Sequence, residues 1–402
     1  MKYVIILGDG MADYRQQSLG DKTPLMVAKK PYIDGLAVKS EIGLCRTVPC
    51  GMKPGSDVAN LSVVGYDPKE CYTGRSPLEA ASIGIELKET DVTARANLVT
   101  LSDESDYADK TMIDYSAGEI STEEAKELIA YLKEHLDNEE FTLYAGISYR
   151  HCLVCSNGVI AGDTTPPHDI TGKPVREFLP TSSRGKIYLD IMKRSHELLK
   201  SHPINVERVK RGKNPANSLW FWGEGTKPRL ENFYDKFGLK GGVISAVDLL
   251  KGIGKLAGME VIEVAGATGN YDTNFIGKAN ACLSALDNGL DFIYLHMEAP
   301  DECGHHGDVE KKIYSIEQID KVVVETVVEG LKARGEDFAI LIAPDHPTPI
   351  AIKTHCSDPV PYLLYKSYEE KSGAQSYDEQ TAEDSGVFVE QGHQLIKKLI
   401  AK

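Results

Sequence analysis

Three runs of residues restrict the fold more than anything else in the chain: Tyr3-Val-Ile-Ile-Leu7, Asp291-Phe-Ile-Tyr-Leu-His-Met297 and Phe338-Ala-Ile-Leu-Ile-Ala343. Each is short, almost continuously apolar and bounded by charged or turn-forming residues, the pattern of a strand buried on both faces. Amphipathic patterns at about 274–287 and 312–333 predict helices between the later strands, and shorter runs at 218–222, 242–244 and 261–264 continue the rhythm. Strands alternating with helices in this way predict a mostly parallel, doubly wound α/β sheet with helices on both faces. Because one of the three runs opens the chain, that sheet must be built from both of its ends.

Near Gly65-Tyr66-Asp67-Pro68 the character changes. Alternating strands at 94–100, 141–144 and 151–155 follow, with a helix from Ser121, where Glu124 completes a capping box, and another at 187–199. A Gly-, Pro- and Thr-rich stretch, 162–184, reads as an exposed loop, and Arg211-Gly-Lys-Asn-Pro215 as a linker. The expected organisation is an α/β domain of residues 1–66 and 216–402 that holds an inserted, smaller α+β domain, 67–215, as a substrate-binding lid.

Charge narrows the partners. Across 402 residues, 45 Lys and Arg stand against 60 Asp and Glu, a net charge of −15. No basic tract is available to displace counterions, so nucleic acid is excluded as a partner. An acidic chain that handles anions must concentrate positive charge locally, through metal ions or a few arginines. No secretory leader and no apolar stretch of membrane-spanning length is present, and the eight cysteines are scattered. The expectation is a cytoplasmic protein with no membrane contact. Cys152-Leu-Val-Cys155 matches C-x-x-C, but it lies in an apolar run and reads as strand interior.

In a parallel sheet, ligands gather at the carboxyl ends of the strands. Asp9, Asp301 and Asp345 follow the three apolar runs, and each has further donors nearby: Asp301-Glu-Cys-Gly-His305, Asp345-His346 and, beyond, Thr354-His355-Cys-Ser-Asp358-Pro-Val-Pro361. Ser56 in Pro54-Gly-Ser-Asp57 falls where a helix can begin. It is either an N-cap or a nucleophile, since amide groups at a helix start would stabilise a phosphoryl group on its oxygen. With Asp9, Asp301, His305, Asp345, His346 and His355, Ser56 makes seven candidate ligands, too many for one ion and suited to a pair. Carboxylate and imidazole donors favour Mn²⁺, with Mg²⁺, Zn²⁺ or Co²⁺ compatible.

The order Asp, Pro-Gly-Ser-Asp, Asp-x-x-x-His, Asp-His, His resembles the alkaline phosphatase superfamily. Within it, Pro54-Gly-Ser-Asp-Val-Ala-Asn-Leu-Ser62, Gly65-Tyr-Asp-Pro68, Thr73-Gly-Arg-Ser-Pro-Leu-Glu-Ala80 and Glu298-Ala-Pro-Asp-Glu-Cys-Gly-His305 resemble the archaeal-type cofactor-independent phosphoglycerate mutases, over essentially the whole chain. The resemblance implies an isomerase of glycolysis and gluconeogenesis that moves phosphate between positions 2 and 3 of glycerate through a phosphoserine, without 2,3-bisphosphoglycerate. It implies Ser56 as nucleophile, one ion on Asp301, His305 and His355, and the other on Asp9, Ser56, Asp345 and His346. For the small phosphorylated acid it implies Asp57 and Asn60 of the nucleophile loop, arginines of the insertion (Arg75, Arg95 and Arg150), and Arg229 beyond it. Many mutases carry His where this chain has Asn60, so a homoserine kinase, or a metal-dependent phosphatase of the same superfamily, stays open as an alternative. A sulfatase does not fit, because Cys50-Gly-Met-Lys-Pro lacks the C-x-P-x-R pattern.

Overall fold

Val4, Ile5, Ile6 and Leu7 have no exposed surface, and the Lys2–Gly8 strand they form lies inside an eight-stranded sheet. The computed structural model describes residues 1–369 and 371–401. In spatial order the strands are Phe388–Val389, Glu41–Cys45, Val360–Lys366, Phe338–Ala343, Lys2–Gly8, Phe292–Met297, Gly241–Ile244 and Glu260–Val261. Lys2–Gly8 pairs in parallel with both Phe292–Met297 and Phe338–Ala343, while Val360–Lys366 runs antiparallel to its two neighbours. That antiparallel strand carries Pro361 and Tyr362 and was not among the sequence expectations.

Alternation divides the central strands between two helical layers. Val4 and Ile6 share a face with Ile293, Leu295, Ile340 and Ile342, packed with Phe275, Ala279 and Leu286 of one helix and Val323 to Leu331 of another. The opposite face carries Tyr294, whose hydroxyl reaches Asn60 in the Ser56–Val64 helix. Each fully buried Val, Ile or Leu contributes roughly 1.5–3 kcal/mol relative to exposure. Strands with both faces covered therefore read as unbroken apolar runs. The helix expected at 312–333 is instead Val309–Gln318, a π-helical turn Ile319–Val324, and Glu325–Ala333. In that turn Asp320 accepts the Ile33 amide at 2.7 Å and caps the start of the Pro31–Ala37 helix.

The chain divides into two units, Met1–Tyr72 with Arg229–Lys402, and Thr73–Pro228. The second unit is built on Val92–Leu101, which pairs antiparallel with Arg150–Cys155, Met112–Asp114 and Ser218–Thr226. The helices Thr122–Leu136 and Ser183–Leu199 complete its core with Leu128, Leu132, Tyr188 and Met192. Ser121 caps the first of these helices through the Glu124 amide, and Cys152 and Cys155 are buried free thiols in a strand. The run 218–222 is a correction to the expected organisation. It extends the smaller sheet, with Val99 opposite Ser218 and Asn97 opposite Trp220, so the second unit continues to Pro228 rather than ending at 215. Leu219-Trp-Phe-Trp222 is apolar enough for either sheet, and only the partner strand decides between them. Among the described residues no helix is long and apolar enough to cross a membrane.

One buried ion pair ties together three loops of the larger unit. Lys312 Nζ lies 2.7 Å from Asp13 Oδ2, both side chains fully buried, and also donates to the carbonyls of Ala12 and Thr348. Asp13 in turn accepts the Ile350 amide. The segments that follow the Lys2–Gly8 and Phe338–Ala343 strands are thus fastened to the helix after Asp301. Removing one partner of such a pair leaves a buried uncompensated charge. Lys312→Met is expected to lower the unfolding free energy by roughly 3–5 kcal/mol, read by urea denaturation, with partial recovery when Asp13→Asn is added. An unchanged midpoint would show that water reaches Asp13.

Candidate metal centre and active site

Register brings the acidic groups level. Gly8 lies opposite Met297 and Leu7 opposite Ala343, so Asp9, Glu298 and Asp345 emerge from one edge of the sheet. Gly10 adopts φ +60, and a Cβ there would come within 2.7 Å of Asp301 Oδ1, so the turn after Asp9 requires glycine. Asp301 follows on the Ala299–His306 helix, which places His305 one turn further on the same face.

Three sets of potential ligands converge among the described residues: Asp301, His346 and His355; Asp9, Asp345 and His346; and Asp9, His296 and Glu298. His305 Nε2 lies 3.2 Å from Asp301 Oδ2 and 2.9 Å from His355 Nε2. His305 Nδ1 donates to the Lys353 carbonyl at 3.0 Å, which turns Nε2 toward the carboxylate. His346 Nε2 stands 3.2 Å from Asp345 Oδ2, 3.7 Å from Asp9 Oδ1 and 3.2 Å from Ser56 Oγ. All seven expected ligands are therefore brought together, with His346 between the two carboxylate sets. Ser56 is the first residue of its helix, Gly55 is the N-cap, and no side-chain cap is formed there. The serine oxygen is left facing His346.

Electrostatics make the same point. Burial, then the charges of Asp345, Glu298 and Asp301, hold the Asp9 carboxyl well above the usual carboxylate range. Burial with Asp301 and Glu302 pushes Glu298 up to about 8. Asp9 Oδ1 is buried without a hydrogen-bond partner. Crowded carboxylates with an orphaned oxygen, alternating with imidazoles, are a donor set that fits divalent cations.

The residues expected at the substrate fare differently. Asn60 is fully buried, its Nδ2 donating to the Ser56 carbonyl at 2.8 Å and to Asp345 Oδ2 at 2.7 Å while its oxygen accepts from Tyr294. Asp57 Oδ1 accepts the Val58 amide and Oδ2 accepts the Tyr72 hydroxyl. These bonds are internal, tying Asn60 to the Ser56 turn and to Asp345, and Asp57 to its own helix start and to Tyr72. In the second unit Arg75 and Arg95 both place Nε against partly buried Glu79, at 2.9 and 2.8 Å. The Arg95 guanidinium also sits 4.0 Å from the Trp222 ring, and Arg150 lies against Tyr149. Burial, eased by Glu79 and worsened by Arg75 and Arg150, brings Arg95 down to about 10. Three guanidinium groups around one carboxylate leave an excess of positive charge. Arg229 is exposed and belongs to the first unit.

Two polar residues of the centre escaped sequence reasoning. His296 lies inside the Phe292–Met297 strand, its Nε2 2.8 Å from Asp9 Oδ2 and its Nδ1 3.1 Å from Ser245 Oγ. Glu298 follows the same strand directly. The available signal was the one that found Asp9, a charged residue at the end of a buried strand.

The doubly wound sheet, with carboxylates and imidazoles at its carboxyl edge beside a helix-start serine, defines an α/β protein with a candidate metal-dependent active site. A family model described as 2,3-bisphosphoglycerate-independent phosphoglycerate mutase matches residues 37–205. A probable 2,3-bisphosphoglycerate-independent phosphoglycerate mutase of Geobacter sulfurreducens is 49% identical over 401 residues, covering 100% of each chain. The Methanothrix thermoacetophila enzyme of that name is 49% identical over 404 residues, again covering 100% of each. Among solved structures, a Pyrococcus horikoshii protein aligns with TM-score 0.83 and 27% identity over 99% of this chain and 96% of its own. The cofactor-independent phosphoglycerate mutase of Thermoplasma acidophilum aligns with TM-score 0.65 and 26% identity over 100% and 99%. The chain belongs to the 2,3-bisphosphoglycerate-independent phosphoglycerate mutase family.

The hydrogen bond to Asp301 raises His305 to about 9, against the opposing effect of burial. Its folded value lies above the unfolded one of 6.5, so in metal-free protein its stabilising contribution is complete below pH 6.5 and is lost as pH rises through about 9. A cation on His305 must displace that proton, so Mn²⁺ affinity is expected to rise with pH across the same window. Titration of EDTA-treated protein at several pH values checks this, and pH-independent affinity would remove His305 from the ligand set.

Proposed function

We propose that the protein interconverts 3- and 2-phosphoglycerate by way of a phosphoserine on Ser56, without 2,3-bisphosphoglycerate. The observation that carries this reading is the serine oxygen, unused in capping and 3.2 Å from His346 Nε2 at the start of a helix, in a chain of this family. Two divalent cations, Mn²⁺ foremost, fit the donor set, with Asp301, His305 and His355 for one and Asp9, Ser56, Asp345 and His346 for the other. When bound, such ions favour the serine alkoxide near neutral pH and neutralise phosphate charge.

The chain's own residues do the rest. Ser56 Oγ gives up its proton and bonds to phosphorus as the bond from phosphorus to the glycerate oxygen breaks, and that oxygen takes up a proton as it leaves as a hydroxyl. Amides at the start of the Ser56–Val64 helix receive the phosphoryl oxygens. Glycerate stays held while it turns, and its other hydroxyl takes the phosphate back. Arg75, Arg95 and Arg150 of the inserted unit, with Arg229, are the proposed grip on carboxylate and phosphate. Keeping water from the phosphoserine is the role proposed for the insertion, because hydrolysis would make the enzyme a phosphatase. The place of the reaction in glycolysis implies a cytoplasmic location. The kinase alternative rested on Asn60, which is fully buried and bonded to Ser56, Asp345 and Tyr294, and the full-length similarity to phosphoglycerate mutases supports the mutase reading over it.

Purified protein with Mn²⁺ is expected to convert 3-phosphoglycerate to the 2-isomer with no added nucleotide. Ser56→Ala is expected to fold and to abolish conversion, and a tenth of wild-type turnover in that variant would move the nucleophile elsewhere. Arg150 is exposed, so Arg150→Ala tests the grip with little effect on packing. Loss of one charge-assisted contact, about 1.5–3 kcal/mol, predicts a drop of roughly ten- to hundredfold in kcat/KM. Formation of phosphohomoserine from ATP and homoserine, with 3-phosphoglycerate untouched, would overturn the assignment.

A further inference from the structure

The turn Asp345-His346-Pro347-Thr348 buries the Thr348 side chain completely. Two glycines make room for that residue: a Cβ on Gly10 would lie 2.5 Å from Thr348 Oγ1, and one on Gly304 would lie 2.5 Å from the Thr348 carbonyl oxygen. The backbone is fixed as well. Its carbonyl accepts Lys312 Nζ at 2.8 Å and its amide donates to the Ala12 carbonyl at 3.3 Å.

The Thr348 hydroxyl meets two groups, Asp301 Oδ1 and His346 Nδ1, the latter at 3.3 Å. A hydroxyl has one proton to donate. Asp301 sits between two imidazole nitrogens, its Oδ2 3.2 Å from His305 Nε2 and its Oδ1 3.4 Å from His355 Nε2, so its carboxylate accepts. The hydroxyl proton therefore goes to Asp301, and the lone pair of Oγ1 receives Nδ1–H of His346. The Nε2 lone pair of His346 is left facing Ser56 Oγ, Asp345 Oδ2 and Asp9 Oδ1. A neutral imidazole binds a cation through the nitrogen that carries no proton, and the partner of the other nitrogen decides which one that is.

We propose that Thr348 is a positioning residue that fixes His346 as the Nδ1–H tautomer and fastens it to Asp301, so that a single hydroxyl organises both ligand sets. The tautomer stands on the hydrogen-bond geometry alone, while the effect on cations rests on the metal reading given above. A packing role would need only the methyl group of Thr348, whereas this role needs the hydroxyl.

Two variants separate the roles. Thr348→Val keeps the shape and removes the hydroxyl, and Thr348→Ser does the reverse. Nitrogen-15 spectra of histidine-labelled, EDTA-treated wild-type protein are expected to show His346 protonated on Nδ1, and protonation on Nε2 would overturn the proposal without any variant. By titration with Mn²⁺, Thr348→Val is expected to lose roughly 10–100-fold in affinity, while Thr348→Ser keeps the wild-type value. Wild-type affinity in Thr348→Val, or equal loss in both variants, would assign Thr348 to packing and overturn the proposal. Should Thr348→Val fail to fold, the wild-type spectrum and the serine variant still decide. Should wild-type protein take up no divalent ion, the metal reading fails and the tautomer alone decides the role of Thr348.

Discussion

Like charge at one edge of a sheet is the constraint around which the larger unit is arranged. Asp9, Asp301 and Asp345 are buried beside a largely buried Glu298, because parallel register makes the strand ends level. Two such charges 4 Å apart repel by about 4 kcal/mol even at an effective dielectric of 20. The surroundings answer each carboxylate differently. Asp301 is held ionised by His305 and His355, Asp345 accepts from Gly10, Asn60 and its neighbour's amide, and Asp9 and Glu298 retain protons far more readily than exposed acids. The buried Lys312–Asp13 pair keeps the loops from spreading under that repulsion. A divalent cation would relieve that repulsion, and the donor set at this edge fits one.

Features that depend on one segment at a time were legible in the sequence. Continuous apolar runs located the central strands, a Ser-x-x-Glu pattern located a helix start, and carboxylates at strand ends located the centre. Features that depend on which segment meets which were not. Leu219-Trp-Phe-Trp222 is a strand in either sheet until Val92–Leu101 claims it. Val360–Lys366 carries a proline and reads poorly as a sheet interior, yet it runs between Glu41–Cys45 and Phe338–Ala343.

The centre divides along the same line. Its seven candidate ligands announce themselves by residue type, but the polar residues that hold them do not. Tyr294 and His296 sit in an apolar strand, and Asn60 in a helix, where single polar residues carry little pattern. Their meaning comes from partners far along the chain, Tyr294 with Asn60, His296 with Asp9 and Asn60 with Asp345. Asn60 departs from a family pattern beside Ser56, and the structure adds what the motif could not carry, its burial and its bonds to Asp345 and Tyr294.

The position of the first strand has a consequence for synthesis. Lys2–Gly8 is synthesised long before its two neighbours, Phe292–Met297 and Phe338–Ala343. At a synthesis rate of about 5–20 residues per second, the strand waits on the order of 15 to 70 seconds for its partners. Thr73–Pro228 has all its strand pairings within itself and can complete them during that interval. The nascent chain can thus carry a folded Thr73–Pro228 behind a bare apolar strand whose two edges are open to any other strand it meets. Emergence of Phe292–Met297 and Phe338–Ala343 is what ends that exposure.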